Sequence, residues 1–255
     1  MKLIVLGSGC AVPHPQRASS GFWLEAGGGT LLLDCSAAAV HRMAQEGLDW
    51  TSLDAVWISH FHLDHCGGLP AFLFGTRHAP QTQARAKPLK IFGAKGVAKL
   101  LRAFDEAGDY KLFQQPFPLE IAEIEPEEKF EILPGVKAVA ISTPHTDESM
   151  ALRLTGENDV SLVYTADTGF DMILGDFARR ANLLLIECSF YKNKPIKHHL
   201  ELAEVMYLTR YAAPKRVMLT HFYPEWDAVD LPEEVKKFSP GCEVIQARDG
   251  LVVEF

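Results

Sequence analysis

Residues 59–68 read SHFHLDHCGG, close behind AVWIS (residues 55–59), a short apolar run of strand length. Four side chains of metal-ligating type, His60, His62, Asp64 and His65, fall within six positions. On an extended segment, side chains two apart share a direction, so His60 and His62 can converge on one ion. Asp64 and His65 come where the chain turns into a helix and can reach a second. Imidazole and carboxylate suit zinc and its neighbours. Zinc takes the neutral imidazole, and carboxylates offset its charge. A single histidine has an ordinary explanation in a loop or cap, whereas four ligand types in HxHxDH order behind a strand point to a metal site.

Three further candidates stand at other strand ends. His145 follows the strand expected at Val136–Ser142, Asp167 follows LVYTA, and His221 follows VMLT. Taken singly, each has a plain alternative as a capping or loop residue, since caps favour aspartate. Ligands gather at that rim of α/β sheets, and with HxHxDH the set reaches seven, enough for two ions with positions left for solvent.

Apolar strand-length runs alternate with helical stretches. Strands are expected at Leu3–Gly7, in GFWLEA and TLLLDC on either side of three glycines, at Ala55–Ser59 and at Lys90–Phe92. The second half adds Leu119–Ile124, Lys129–Leu133, Val136–Ser142, Met150–Leu154, Ser161–Thr165, Asn182–Ile186 and Arg216–Thr220, and a terminal hairpin around Arg248–Gly250. Helices are expected at Ala37–Glu46, Cys66–Gly75, Lys95–Ala107, Asp171–Arg180 and Leu200–Tyr211. Residues 77–88 and 110–118 read as loops. Strands that are apolar on both sides, with interspersed helices, imply sheets sandwiched between helix layers. No linker stands out, so one domain over 1–255 is expected.

Composition narrows the function. A formal net charge of −8 disfavours long nucleic acid, usually met by a basic surface, without excluding a local basic patch. The five cysteines are scattered and never spaced CxxC, which argues against a disulfide framework or zinc knuckle and fits a reducing compartment. MKLIVLGSGC is too short for a signal-peptide core, and no apolar stretch is long enough for a bilayer, so a soluble cytoplasmic protein is expected with no membrane partner. Gly7 and Gly9 do not complete GxGxxG, which disfavours a dinucleotide site. Lys192, Lys194 and Lys197 read as a solvated loop, with phosphate attraction the alternative. Arg77, Arg85, Lys87 and Lys90 read as a mobile surface loop, with a lid the alternative. Cys66 is taken as a small buried residue, and Glu187 as a group that could orient a ligand histidine.

These motifs resemble the metallo-β-lactamase superfamily, and within it the ribonuclease Z and related phosphodiesterase branch. LGSGCAVPHPQRASSGF, LLLDCS, SHFHLDHCGGLP, PHTDESMALRL, VYTADTG, and KHHLELAEV followed by KRVMLTHF carry the likeness over nearly the whole chain, with gaps at 77–118. The resemblance implies an αββα four-layer sandwich of two mixed β-sheets flanked by helices. It implies that His60, His62 and His145 bind one zinc, that Asp64, His65 and His221 bind the other, and that Asp167 bridges them. Manganese or iron are the alternative metals. It places His199, with His198 the adjacent rival, on the substrate phosphate and leaving group. Relatives imply a homodimer.

The sequence also departs from ribonuclease Z. Only residues 146–166 separate His145 from Asp167, where that enzyme inserts an arm that grips transfer RNA, and Ala37-Ala38-Ala39 replaces its Glu-Gly-Thr. Both departures favour small or cyclic phosphodiesters, nucleotides or short RNA ends as substrates, over transfer-RNA processing. The expected chemistry is attack by a hydroxide bridging the metals, with Asp64 as proton acceptor and His199 supporting the leaving alkoxide. The competing readings are a transfer-RNA 3′ endonuclease, a lactone or ester hydrolase, and a non-catalytic metal-dependent binding protein. An oxygen-reducing di-iron protein is disfavoured by His62, where those proteins carry glutamate.

Overall fold

Most strands turn apolar residues to both sides and bury both, while those over residues 119–124, 129–133, 136–142, 243–246 and 252–254 keep exposed positions. In a computed structural model describing residues 1–255, the chain runs β1 (Lys2–Gly7), β2 (Gly21–Ala26), β3 (Gly29–Leu33), α1 (Ala37–Gln45), β4 (Ala55–Ile58), α2 (Leu63–Cys66), α3 (Leu69–His78), β5 (Leu89–Ala94), α4 (Val97–Gly108) and β6 (Leu119–Ile124). There follow β7 (Lys129–Leu133), β8 (Val136–Ser142), β9 (Met150–Thr155), β10 (Ser161–Tyr164), α5 (Met172–Phe177), β11 (Leu183–Glu187), α6 (Leu202–Ala212), β12 (Arg216–Thr220), α7 (Leu231–Lys236), β13 (Glu243–Gln246) and β14 (Val252–Glu254).

The strands form two seven-stranded sheets, in the orders β14-β1-β2-β3-β4-β5-β6 and β13-β12-β11-β10-β9-β8-β7. Both are mixed. β3 to β6 are parallel, as are β10 to β13, and the remaining pairs are antiparallel. Strand periodicity divides the core. Leu3, Val5, Phe22, Leu24, Leu31, Leu33 and Trp57 join residues of the second sheet in one apolar cluster. Their neighbours Ile4, Leu6, Trp23, Leu32, Val56 and Ile58 pack with Met43 of α1, Phe72 of α3 and Leu101 of α4. The layering is the expected helix–sheet–sheet–helix sandwich.

Two expectations are corrected. The helix expected over Cys66–Gly75 is two helices, α2 and α3, broken at Gly67-Gly68. A Cβ on Gly68 would lie 2.2 Å from the Ser36 carbonyl oxygen, so only glycine lets the chain press against that loop. The contact is used: Cys35 N–H donates to the His65 carbonyl at 2.6 Å and Gly68 N–H to the Cys35 carbonyl at 2.8 Å. The expected terminal hairpin is also absent. β13 pairs parallel with β12 and β14 antiparallel with β1, so residues 247–251 carry the chain from one sheet to the other, helped by Gly250 at φ +84°. In that crossing the Asp249 carboxylate accepts from Ser8 N–H at 2.9 Å, Ser8 Oγ at 2.7 Å and Ala18 N–H at 2.8 Å, which fixes the loop after β1.

Two cations of the basic loops are held in place instead of reaching freely into solvent. The Arg85 guanidinium donates to the carbonyls of Thr51 (2.7 Å), Leu53 (2.7 Å), Lys87 (2.7 Å) and Pro88 (2.8 Å), and lies over the Phe117 ring. It is a structural pin rather than part of a lid. Lys194 Nζ is engaged by Glu204 and the His199 carbonyl. No helix is long and apolar enough to cross a membrane.

Candidate metal centre

Six strands end at one rim, and each delivers a polar side chain there: Asp34 after β3, His60 and His62 after β4, His145 after β8, Asp167 after β10, Glu187 at the end of β11 and His221 after β12. Three residues at these ends are non-glycine at positive φ: Asp34 (+58°), Ala166 (+52°, directly before Asp167) and His221 (+62°). Such conformations cost energy, persist where the surroundings hold them, and cluster at functional sites.

All seven predicted ligands come together. One group is His60, His62, His145 and Asp167; the second is Asp64, His65, Asp167 and His221; within each, the ligand atoms lie within 4.8 Å of one another. Asp167 belongs to both. Its Oδ2 is 3.8 Å from His60 Nε2, 3.7 Å from His145 Nε2 and 3.3 Å from His221 Nε2, and its Oδ1 is 3.3 Å from His65 Nε2. Ligands at zinc bond lengths in a tetrahedron stand about 3.4 Å apart, a spacing that these separations fit.

The hydrogen bonds on the far side of each ring fix the tautomers. His65 Nδ1 donates to Asp34 Oδ2 (2.6 Å) and His145 Nδ1 to the His198 carbonyl (2.8 Å). Ser59 Oγ spends its proton on Asp34 Oδ2 and so accepts from His60 Nδ1 at 3.0 Å. Ser189 Oγ spends its own on Glu187 Oε2 and accepts from His221 Nδ1 at 2.9 Å. Four Nε2 atoms therefore turn their lone pairs toward Asp167, that of His145 also accepting from His62 Nδ1 at 3.0 Å. Those of His60 and His65 are buried with no hydrogen-bond partner, a cost that a divalent cation between them would remove. Anchoring the distal nitrogen in this way is how proteins orient metal-binding histidine. The donor set, imidazole and carboxylate without thiolate, suits zinc, manganese or iron.

Electrostatics agree for all but His65, whose raised value favours the imidazolium as long as no cation stands beside Asp167. Burial, then neighbouring His65, push His60 down to about 2, which keeps it neutral. Burial also lowers His145. Burial opposes ionisation of Asp64 and Asp167, but the facing histidines outweigh it: Asp64 is lowered to about 2 and Asp167 well below the usual carboxylate range. For His65, burial is outweighed by Asp167 and Asp34, which raise it.

The family model for Anti-Pycsar protein Apyc1 matches residues 1–240. The chain belongs to that family. Among curated relatives of this Apyc1-family chain, ribonuclease Z of Salinibacter ruber is 34% identical over 121 residues, 48% of this chain and 35% of that protein. The chain thus spans about a third of the length of that relative. The probable metallo-hydrolase YhfI of Bacillus subtilis is 27% identical over the full length of both chains. The crystal structure of that metallo-β-lactamase fold protein matches with a TM-score of 0.83 at 24% identity, over 100% of this chain and 98% of that one. Human tRNase Z, short form, matches with 0.80 at 20% identity, over 100% and 99%. The metallo-β-lactamase fold and the ribonuclease Z-related branch expected from the motifs are both borne out.

Beside the metal groups the family chain places His199 rather than His198. His199 is buried, its Nδ1 3.0 Å from Glu187 Oε1 and 4.0 Å from Asp167 Oδ2, whereas the exposed His198 contributes its backbone carbonyl. Burial would lower His199, but Glu187 outweighs it and raises it above the usual imidazole value. Glu187 serves His199 directly and His221 through Ser189. A cleft of about 690 Å³ opens over Asp64, Asp167, His199 and His221, walled by Ala11, Ala37, Ala38, Leu63 and Tyr223. No lysine or arginine lines it.

Cys66 is no ligand: it is buried and its thiol donates to the Phe61 carbonyl. Sequence reasoning passed over the roles of Asp34, Ser59, Tyr164 and Ser189. Asp34, polar at the end of the apolar run TLLLDC, carried the one signal that could have found any of them.

Proposed function

We propose that this chain is a two-metal phosphodiesterase acting on small or cyclic phosphodiesters. His60, His62, His145 and Asp167 would hold one zinc-class ion, and Asp64, His65, Asp167 and His221 the other. The observation that carries the reading is the four Nε2 lone pairs left facing one shared carboxylate, with a carboxylate-backed histidine at their side. Two divalent ions there would supply a water nucleophile at neutral pH and neutralise charge on phosphate oxygens.

The chain's own groups divide the remaining work. Asp64, ionised at neutral pH, is placed to take the proton of the attacking water. His199 Nδ1–H donates a hydrogen bond to Glu187 and keeps its proton, so the second proton of the charged ring, on Nε2, is available to the leaving oxygen. Glu187 holds that ring in orientation and favours its protonated form. An alkoxide leaves poorly, so this proton matters most for alkyl esters. Ala37, Ala38 and Ala11 shape a cleft without lysine or arginine, which supports a substrate with few charges beyond the scissile diester. The span between His145 and Asp167 is a short β9–β10 hairpin, with no room for an arm that grips a long RNA.

The test is the metal-reconstituted protein against bis(4-nitrophenyl) phosphate, a 2′,3′-cyclic nucleotide, a lactone and a precursor transfer RNA. Diester turnover that collapses in His199→Ala is the expected result. Lactone turnover alone would overturn the proposal, and cleavage of the transfer RNA in preference to the small diesters would move it to RNA processing.

A further inference from the structure

Asp34 carries more donors than orienting one histidine requires. Its Oδ1 accepts Ser59 N–H at 2.8 Å, while Oδ2 takes Ser59 Oγ at 2.8 Å, His65 Nδ1 at 2.6 Å and the Tyr164 hydroxyl at 2.6 Å. The first three come from the loop and helix that follow β4. Tyr164 comes from β10 in the opposite sheet and reaches across the interior between them. It is the one fully buried tyrosine of six, and its ring packs edge-on against Phe22 of β2, centroids 5.5 Å apart.

Its place in the chain gives the contact its meaning. Tyr164 is the last residue of β10, three before Asp167, and the backbone between them turns through Ala166 at φ +52°. One hydroxyl thus joins the carboxylate that aims His65 to the strand end that delivers Asp167. These two side chains meet at 3.3 Å, His65 Nε2 to Asp167 Oδ1. In the other metal group His145 is aimed by the His198 carbonyl, and Asp34 reaches His60 only at one remove, through Ser59 Oγ, whereas it holds His65 directly.

We infer that Tyr164 is a positioning residue for the second ion. Its hydroxyl locks the two sheets at the spacing which lets Asp64, His65, Asp167 and His221 close on one cation, and its loss weakens that ion more than the first. The inference rests on the two-ion reading above. Groups that orient metal ligands from behind typically change affinity by about 10- to 100-fold when removed. The hydroxyl acts one hydrogen bond further back, so about tenfold is expected.

The test is a cobalt(II) titration of the metal-free full chain, read by visible absorption. Wild type takes two equivalents in succession. Tyr164→Phe takes the first as wild type does and binds the second about tenfold more weakly, with an altered band for that ion. Phe22→Leu, which loosens the ring's packing but keeps the hydroxyl, lowers the melting temperature and leaves the second equivalent unchanged. An unaltered second equivalent in Tyr164→Phe, equal weakening of both, or the same loss in Phe22→Leu overturns the inference. Wild type taking fewer than two equivalents overturns the two-ion reading with it. Should Tyr164→Phe not fold, wild type labelled at tyrosine Cζ decides by NMR. The tyrosine signal shielded from a soluble paramagnetic agent shifts with the second equivalent of zinc; a shift with the first, or with neither, overturns the inference.

Discussion

Replacing Glu187 by glutamine removes one charge from beneath His199 and no metal ligand, although Ser189, which orients His221, also bonds this carboxylate. The carboxylate is 1% exposed and accepts from Thr168 N–H at 2.6 Å, Leu200 N–H at 3.1 Å, Ser189 Oγ at 2.5 Å and His199 Nδ1 at 3.0 Å. Two unit charges about 4 Å apart interact by about 4 kcal/mol at an effective dielectric near 20, which bounds the effect from above. A neighbouring opposite charge favours the charged form of an imidazole, so the His199 pKa should fall in the variant. The sign follows from the role. A proton donor is lost as pH rises through its pKa, so lowering that pKa moves the alkaline limb of kcat/KM to lower pH. At a pH above the new value the rate should fall about 10- to 100-fold and recover on acidification. Glutamine also turns a donor toward one of the four donors that the carboxylate satisfied, costing about 1–3 kcal/mol of stability, so the melting temperature must be followed alongside. The assay is the pH profile of kcat/KM for two diesters, one with a 4-nitrophenolate leaving group and one with an alkoxide. The alkoxide substrate should lose more, since only it needs the proton. An unmoved alkaline limb with equal losses for both substrates would refute the assignment of His199 as acid.

Burial holds His60 down at about 2, so in the metal-free protein it takes up a proton only on unfolding. Stability should fall as pH drops below about 6.5 and keep falling toward that value, by about 1.4 kcal/mol per pH unit from this one group. His60→Ala, compared with wild type by denaturant unfolding at about pH 6 and about pH 4, should show a shallower fall; equal slopes would contradict the burial argument. Gly7→Ala should destabilise by about 1–3 kcal/mol, because its Cβ would lie 1.9 Å from the Ser19 carbonyl oxygen; an unchanged melting temperature refutes this. Arg85→Met should lower the melting temperature, leaving several carbonyls without their charged donor at about 1–3 kcal/mol each where they stay buried, with kcat/KM unchanged. A change in KM at constant stability would restore the lid reading of that loop.

The strands were legible because the run lengths and apolar content that mark them come from covalent geometry. The metal ligands were legible because HxHxDH packs four of them into one loop, and because His145, Asp167 and His221 each stand just past an apolar run. Element ends were less so. The break at Gly67-Gly68 depends on the Ser36 carbonyl, far away in sequence, and the fate of residues 247–251 depends on which edge strand, β1 or β12, lies open to each flank. Arg85 illustrates the same limit: its charge suggested solvent, and four carbonyls from separate loops claimed it instead.

By itself the sequence determined which side chains could hold a cation and that both faces of the strands had to be covered, since residue type and periodicity are local properties. Only the tertiary structure decided that seven ligands share one rim, that Glu187 backs His199 beside them, and that a tyrosine of one sheet grips an aspartate of the other. Each of these depends on hydrogen bonds between segments as many as 130 residues apart, and no local pattern encodes the partner at the far end.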